Sequence, residues 1–247
     1  MLRQLKNCFA NSFPRVSRLW AGDQCKTTEC QDANFYRPIF SPWLGYGEFA
    51  KVIAAVGKHS LVSSDRLWVL HCLARQFSHR QGSFWECGVY KGGTAALLAD
   101  ILGGTEASEY GHRLRLFDTF AGMPETDPSK DQHRRGDFAD TSLEAVRSLV
   151  GTRSFVSYHP GFIPESFAGL EDEAIVFAHV DVDIYRSVMD CCDFIYPRLL
   201  EGGVMIFDDY GFRSCPGARA AVDTFFENKP EVPLVLPTGQ ALVFKLA

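Results

Sequence analysis

The stretch WECGVYKGGTA, residues 85–95, joins a short apolar run to the start of an amphipathic segment. The run at residues 83–87 has the length of a buried strand, and residues 94–102 have the spacing of a helix. Gly88 and Gly92 between them allow the backbone to approach a ligand at the N-terminus of that helix. The stretch therefore predicts a strand, a ligand-binding turn and a helix in succession.

Beyond this stretch, short apolar runs alternate with amphipathic segments. Further strands are predicted at residues 113–117, 154–158, 174–181, 203–208, 232–236 and 240–245, and further helices at 141–150, 184–199 and 216–228. This alternation predicts an α/β fold with a doubly wound, mostly parallel seven-stranded sheet and helices on both faces. Residues 1–80 show helical patterning only, so we expect an N-terminal helical extension, for oligomerisation or as a lid, before a catalytic domain at 81–247.

Composition narrows the classes of function. The chain has 247 residues, is 46% hydrophobic and carries a net charge of -5, which argues against a general nucleic-acid binder with a basic surface. No run approaches the roughly 18 to 20 apolar residues of a membrane span. The eight cysteines include no C-x-x-C pair, and Cys87, Cys191 and Cys192 fall inside predicted strands and helices, as is typical of free thiols in a reducing compartment. We therefore expect a cytoplasmic protein that acts on a small molecule.

The N-terminal region leaves several interpretations open. Residues 1–22 carry four basic side chains and no acid, with apolar residues at helical spacing. They could form a helix that packs on its own domain or on a second subunit, a membrane-surface helix, or an organellar transit segment. The aromatic-rich segment at residues 34–49 would leave a large apolar patch if it were unpacked, so we expect a homo-oligomer.

Four carboxylates follow two of the predicted strands. Asp181 and Asp183 end the run in HVDVDIY, and Asp208 and Asp209 end the run in FDDYG. Crowded carboxylates raise one another's pKa unless a cation or a hydrogen-bond donor compensates them, and a metal ion is one such cation. Helix capping by Asp183 and an Asx turn at Asp208 are the alternatives that need no metal.

The glycine turn suits one cofactor better than another. Its spacing departs from the G-x-G-x-x-G pattern of dinucleotide-binding proteins. Glu86 precedes the glycines, and Asp118 ends the second predicted strand, 30 residues after Gly88. Two acids so placed suit S-adenosylmethionine, which has a cationic amino acid group and ribose hydroxyls. Alternatively, Glu86 pairs with a basic side chain and Asp118 is a turn residue or cap. The polar connection at residues 118–140 is long enough to predict a lid or binding loop.

Six motifs resemble, in order, those of the macrocin O-methyltransferase family: ECGVYKGGTA, FDTFAGMP, GFIPES, HVDVDIYRS, YPRLLEGGVMIFDDYG and CPGARAAVDTFF. The resemblance covers about residues 60–245 and implies a class I methyltransferase fold of the Rossmann-like type. It also implies methyl transfer from S-adenosylmethionine, with Mg²⁺, to a hydroxyl of a sugar or glycosylated natural product. A catechol-type O-methyltransferase and a non-catalytic S-adenosylmethionine-binding protein are the alternatives.

The resemblance also assigns roles to individual residues. It implies that Asp181, Asp208 and Asp209 are the metal ligands, and that Asp181 is also the catalytic base. The residues that it places against the cofactor are Glu86, Gly88, Tyr90, Gly92, Thr94, Asp118, Gly161, Phe162 and Asp181. The chain departs from the family's more frequent sequence at the motifs DTFAGMP and DVDIY, which lie close to the predicted site. The acceptor is therefore left open.

Overall fold

The computed structural model describes residues 40–104 and 110–247, which form one seven-stranded sheet flanked by α-helices. The strands are β1 Ser83–Cys87, β2 Leu114–Asp118, β3 Val156–Pro160, β4 Ile175–Val180, β5 Leu199–Phe207, β6 Leu234–Val235 and β7 Ala241–Phe244. The α-helices of the described ranges are α1 Phe49–Val56, α2 Ser64–Phe77, α3 Gly93–Gly104, α4 Leu143–Val150, α5 Tyr185–Ile195 and α6 Pro216–Phe226. The helix expected within residues 1–22 lies outside the described residues.

The strand order places a crevice at the centre of the sheet. The order is β3-β2-β1-β4-β5-β7-β6, in which β1 to β5 pair in parallel and β7 runs antiparallel to β5 and β6. The order therefore reverses between β1 and β4, and ligands of doubly wound sheets bind beyond the carboxyl ends of the strands at such a point. The predicted fold class is confirmed.

The two faces of the sheet carry separate apolar clusters. Phe84 and Trp85 are adjacent in β1 and point to opposite faces, as alternation along a strand requires. Phe84 stacks on Phe177 with ring centroids 4.8 Å apart, on the face covered by α1 to α4. Trp85 packs on Phe117 at 4.5 Å, on the face covered by α5 and α6. With both faces covered, β1 and β4 are buried along their whole length, which explains why most of their residues are apolar.

The helices before residue 80 belong to this core. Phe49 of α1 and Leu70 of α2 are buried in the same cluster as Phe84. Whether residues 1–80 also serve in oligomerisation or as a lid stays a prediction. Within the described ranges, no helix has both the length and the apolar character that a membrane crossing requires.

The largest differences between predicted and observed boundaries lie between α5 and β5. The helix expected at residues 184–199 ends at Ile195 and is followed by a 3-10 turn at Tyr196–Arg198. Pro197 lies inside this turn and has no N–H to continue the α-helical ladder. The chain therefore enters β5 at Leu199, earlier than the apolar run alone indicates.

Candidate active site

A cleft of about 280 Å³ opens at the carboxyl edge of the sheet. The predicted site residues that line it are Gly88, Tyr90, Thr94, Asp118, Gly161, Phe162, Asp181, Asp208 and Asp209. Among the described residues, Glu86 and Gly92 do not contribute to the lining. The glycine turn after β1 and the aspartates after β4 and β5 therefore meet in one cavity, as their places in the sequence predict.

The glycine turn brings two strand ends very close together. Gly88 has a φ of +89°, and a Cβ at this position would lie 1.7 Å from the carbonyl oxygen of Asp181. Only glycine fits such a contact, so Gly88 is required where β1 passes the end of β4. Gly92, at a φ of +84°, would place a Cβ 3.0 Å from Val146 of α4. The position of Gly92 is therefore explained by helix packing.

Asp118 is bonded to the backbone of the turns around it. Its Oδ2 accepts hydrogen bonds from the N–H groups of Val89 and Tyr90, both at 2.8 Å, and its Oδ1 accepts one from Phe120 N–H at 2.7 Å. The carboxylate thus ties the end of β2 to the glycine turn after β1. These contacts are those of the turn-and-cap alternative, and a ribose contact by Asp118 stays a prediction.

Glu86 faces a histidine of the neighbouring strand. It lies in register with His179 of β4, and both side chains are fully buried. His179 Nδ1 is 3.4 Å from Glu86 Oε1, and its Nε2 is 3.5 Å from Asp208 Oδ1, separations of charge pairs rather than of well-formed hydrogen bonds. Burial lowers the pKa of His179, but Asp208 and Glu86 outweigh it and raise the pKa to about 10. The neighbour of Glu86 is therefore a histidine inside the sheet and not a lysine or arginine.

Asp208 is compensated on both carboxylate oxygens. Oδ2 forms an ion pair with Arg66 of α2, and Oδ1 accepts a hydrogen bond from Gln240 Nε2 at 2.8 Å. Burial raises the pKa of Asp208, but His179, Arg66 and Gln240 together hold it below the ordinary value. Neither Arg66 nor Gln240 was among the predicted site residues, because no local pattern links residues so distant in sequence.

Asp181 and Asp209 lack such compensation. Burial first, and then the neighbouring carboxylates, raise the pKa of both well above the ordinary value. In the described part of the chain Asp181 forms no ion pair, and Asp209 Oδ2 accepts one hydrogen bond, from Asp183 N–H at 3.0 Å. A half-buried carboxylate at Asp181 and a buried one at Asp209, both without a cation, are a donor set that suits a hard, oxygen-seeking ion such as Mg²⁺. The residues present therefore fit the implied metal at Asp181 and Asp209.

The long polar loop folds over this part of the cleft. Asp131 Oδ1 accepts a hydrogen bond from Tyr185 N–H at 2.8 Å, and Tyr90 Oη donates one to Asp140 at 2.8 Å. The N-terminus of α5 is thus capped by Asp131, so the capping alternative for Asp183 is not what the structure shows. A Cβ on Gly217 would lie 1.9 Å from Asp131 Oδ1, so glycine makes room for this anchor.

A glycine turn after β1 and aspartates after β4 and β5 of a doubly wound sheet define a class I methyltransferase. Residues 55–235 match the family model described as macrocin O-methyltransferase (TylF), and the chain belongs to this family. Structures with a similar fold include the O-methyltransferase NovP, at 21% identity and a TM-score of 0.67 over 79% of this chain and 88% of that one. The calicheamicin methyltransferase CalS11 has 20% identity and a TM-score of 0.64, over 85% and 87%.

Two curated relatives extend the comparison. A tetracenomycin 4'-O-methyltransferase of Streptomyces olivaceus, whose named substrate carries a dimethoxyrhamnosyl group, is 27% identical over 56% of each chain. Demethyldecarbamoylnovobiocin O-methyltransferase of Streptomyces niveus is 28% identical over 58% of each chain. The chain thus spans little more than half the length of these relatives.

Proposed function

We propose that the protein is an S-adenosylmethionine-dependent O-methyltransferase that acts on a hydroxyl of a sugar or glycosylated natural product. The observation that carries the proposal is the meeting of the glycine turn and two uncompensated aspartates in one cleft. Family membership supports the reaction. The sugar-linked substrate named for the tetracenomycin relative supports the acceptor class.

The proposed cofactor position is the side of the cleft formed by the ends of β1 and β3. Gly88, Tyr90 and Thr94 line it after β1, and Gly161 and Phe162 line it after β3. The side chain of Phe162 is 55% exposed at the rim and can offer its face to an adenine ring. The cofactor carries the reactive methyl group, so these residues have to orient it toward the acceptor.

The proposed cation is Mg²⁺, held by Asp181 and Asp209, with Asp208 as the third ligand. A divalent cation bound there would supply Lewis acidity toward the acceptor hydroxyl. Arg66 pairs with Asp208 Oδ2, so ligation through that oxygen requires Arg66 to release it. Ligand atoms of Asp181, Asp208 and His179 lie within 4.8 Å of one another, which supports Asp181 and Asp208 by distance. The lack of a cation partner supports Asp181 and Asp209.

Methyl transfer to an alcohol also requires removal of the hydroxyl proton. Asp181 is the proposed base, because it lines the cleft and makes no ion pair with the described residues. Asp183 is the alternative, since it also lines the cleft and is not needed to cap α5. Asp181→Asn and Asp183→Asn, measured side by side for turnover and metal affinity, separate the roles. Loss of a base lowers turnover only, whereas loss of a ligand also weakens metal binding.

The test is calorimetry followed by turnover. We expect S-adenosylmethionine to bind with and without Mg²⁺, and S-adenosylhomocysteine to form from a panel of deoxysugar glycosides only when Mg²⁺ is present. Methylation of catechols but not of glycosides would instead identify a catechol-type enzyme. Cofactor binding without any methyl transfer would identify a non-catalytic binding protein.

A cytoplasmic location and a homo-oligomeric state are also proposed. The net charge of -5 argues against a general nucleic-acid binder. Light scattering of the full-length chain tests the assembly, and a monomer at micromolar concentration would contradict it.

A further inference from the structure

Three side chains that commonly bind metals meet at the edge of the cleft, on three separate segments. His133 comes from the long polar loop, Asp183 from the turn between β4 and α5, and Cys215 from the turn before α6. The Cys215 thiol donates to Asp183 Oδ1 at 3.3 Å, and His133 Nε2 lies 3.7 Å from both Cys215 Sγ and Asp183 Oδ1. These residues take no part in the proposed reaction except Asp183, the alternative base.

Their spacing matches the edges of a zinc tetrahedron. Bond lengths of about 2.3 Å to sulfur and about 2.0 to 2.1 Å to nitrogen and oxygen place tetrahedral ligand atoms roughly 3.3 to 3.7 Å apart. We propose that His133, Asp183 and Cys215 form a second cation site, selective for Zn²⁺ or a similarly thiophilic divalent ion. All three residues line the cleft, so the fourth coordination position faces it. This inference goes beyond the proposed function and does not depend on it.

The surroundings of His133 match those of a metal-binding histidine. Its Nδ1 lies 3.3 Å from Asp137 Oδ2, which also accepts a hydrogen bond from Arg134 N–H at 2.9 Å. A carboxylate on one imidazole nitrogen fixes the ring and leaves the other nitrogen to the metal, as in most histidine-ligated sites. In His133 the nitrogen left for the metal is Nε2, the atom that faces Asp183 and Cys215.

The donor set separates this site from the aspartates beside it. Sulfur and imidazole nitrogen favour Zn²⁺, whereas the carboxylates of Asp181 and Asp209 favour Mg²⁺. Binding of Zn²⁺ releases the thiol proton of Cys215 to solvent and forms the Zn–S bond. His133 belongs to the long polar loop, whereas Asp183 and Cys215 belong to the turns before α5 and α6. A bound ion therefore ties the loop to these turns and holds it closed over the cleft.

Cobalt(II) is the probe that tests the site. A Co–S bond gives a thiolate-to-metal charge-transfer absorption, and the aspartate site cannot produce this band because it contains no sulfur. The full-length protein is titrated with Co²⁺ in excess Mg²⁺, and Zn²⁺ affinity is then measured by displacement. We expect the band in the wild type and in Cys72→Ser, a matched control at an exposed free thiol.

Substitution of a proposed ligand should weaken or abolish metal binding. Cys215→Ser should abolish the band, and His133→Asn should weaken Zn²⁺ binding at least about 100-fold, because loss of even an outer partner of a ligand costs 10- to 100-fold. His79→Asn, at an exposed histidine, should leave the affinity unchanged. Zn²⁺ should also slow amide hydrogen exchange across residues 123–138 in the wild type but not in Cys215→Ser.

Three results would overturn the proposal. They are no band in the wild type, an equal band in Cys215→Ser, or loss of the band when Mg²⁺ is raised. Each would mean that the three side chains are only a hydrogen-bonded cluster. If Cys215→Ser does not fold, as judged by circular dichroism, His133→Asn in the exposed loop decides the question alone.

Discussion

The two sides of the cleft treat their carboxylates in opposite ways. On the β1–β2 side, Asp118 accepts three backbone hydrogen bonds, from Val89, Tyr90 and Phe120. On the β4–β5 side, half-buried Asp181 and buried Asp209 lie beside other carboxylates, and their pKa values are raised. Asp118 therefore shapes the backbone of the site, whereas Asp181 and Asp209 are carboxyl groups whose charge the fold does not compensate. Unneutralised charge in a cleft is the physical mark of a ligand site.

Asp208 combines features of both sides of the cleft. It belongs to the β4–β5 side but is neutralised by Arg66 of α2, which also lies over the ring of Phe212 at 4.7 Å. Arg66, together with His179, thus reduces the negative charge on that side of the cleft. Removal of the Arg66 guanidinium therefore tests directly how the β4–β5 side is compensated.

Arg66→Met should give the largest loss of stability. The ion pair is buried at the Asp208 end, and removal of one partner of a buried pair costs about 3 kcal/mol or more. Denaturant unfolding in chelator measures the loss. With Oδ2 of Asp208 released, Mg²⁺ should raise the melting temperature of the variant by more than that of the wild type. An equal Mg²⁺ response in both proteins would show that Asp208 is not a ligand.

Asp181→Asn should have the largest effect on turnover. The variant keeps the shape of the side chain but loses its charge and basicity, so the rate should fall at least about 100-fold. Calorimetry should show a far smaller loss of affinity for S-adenosylmethionine, because most of the proposed cofactor contacts lie on the other side of the cleft. Chelation should abolish wild-type turnover, and added Mg²⁺ should restore it. Full activity of the variant in chelator would return Asp181 to a structural role.

Asp118→Ala tests the β1–β2 side of the cleft, where backbone N–H groups donate to the carboxylate. Loss of a carboxylate that accepts three backbone hydrogen bonds should cost roughly 1.5 to 3 kcal/mol, divided between folding stability and cofactor binding. Denaturant unfolding measures the first part and calorimetry with S-adenosylmethionine the second. Asp118→Asn keeps one acceptor oxygen and should lie between the wild type and the alanine variant. Unchanged cofactor affinity together with lost stability would make Asp118 purely architectural.

Much of this comparison could be read from the sequence. The central strands β1 and β4 are mostly apolar because both faces of the sheet are covered, and the strand-end positions of Asp118, Asp181 and Asp208 follow from where the apolar runs stop. The sequence predicted that the backbone at Gly88 approaches a ligand closely. It did not indicate that Gly88 also passes close to the carbonyl oxygen of Asp181 on the neighbouring strand. Local pattern therefore identifies the elements and the edge on which the site lies.

The partners of these side chains could not be read in the same way. Arg66 and Asp208 are 142 residues apart, and the helix that carries Arg66 has no motif pointing to a strand end. The long loop was recognisable by its polarity, but its anchor at Asp131 and the approach of His133 to Cys215 depend on tertiary folding. Hydrogen-bond partners are set by packing across the sheet, and no periodicity encodes that packing.

Glu231 is a carboxylate remote from the cleft. Its substitution should have the smallest effect on stability, and it serves as a reference for the carboxylates of the cleft. Glu231 is 4% exposed, and its oxygens accept hydrogen bonds from Tyr196 Oη at 2.7 Å and Leu246 N–H at 3.0 Å. Burial raises the pKa of Glu231, but these donors outweigh it and hold the pKa below the ordinary value of 4.5. A folded-state pKa below the unfolded one stabilises the fold above that ordinary value, and this contribution is lost as the pH falls through the folded pKa.

Glu231→Gln should therefore cost about 1 kcal/mol at neutral pH, and the difference from wild type should vanish in acid. In chelator, Asp181→Asn should show the opposite sign, because the raised pKa of Asp181 means that its ionisation weakens the metal-free fold as the pH rises. Denaturant unfolding of both variants across the acid-to-neutral range measures the two slopes. Slopes of the same sign would mean that Asp181 is compensated as Glu231 is, and the distinction between the two sides of the cleft would fail.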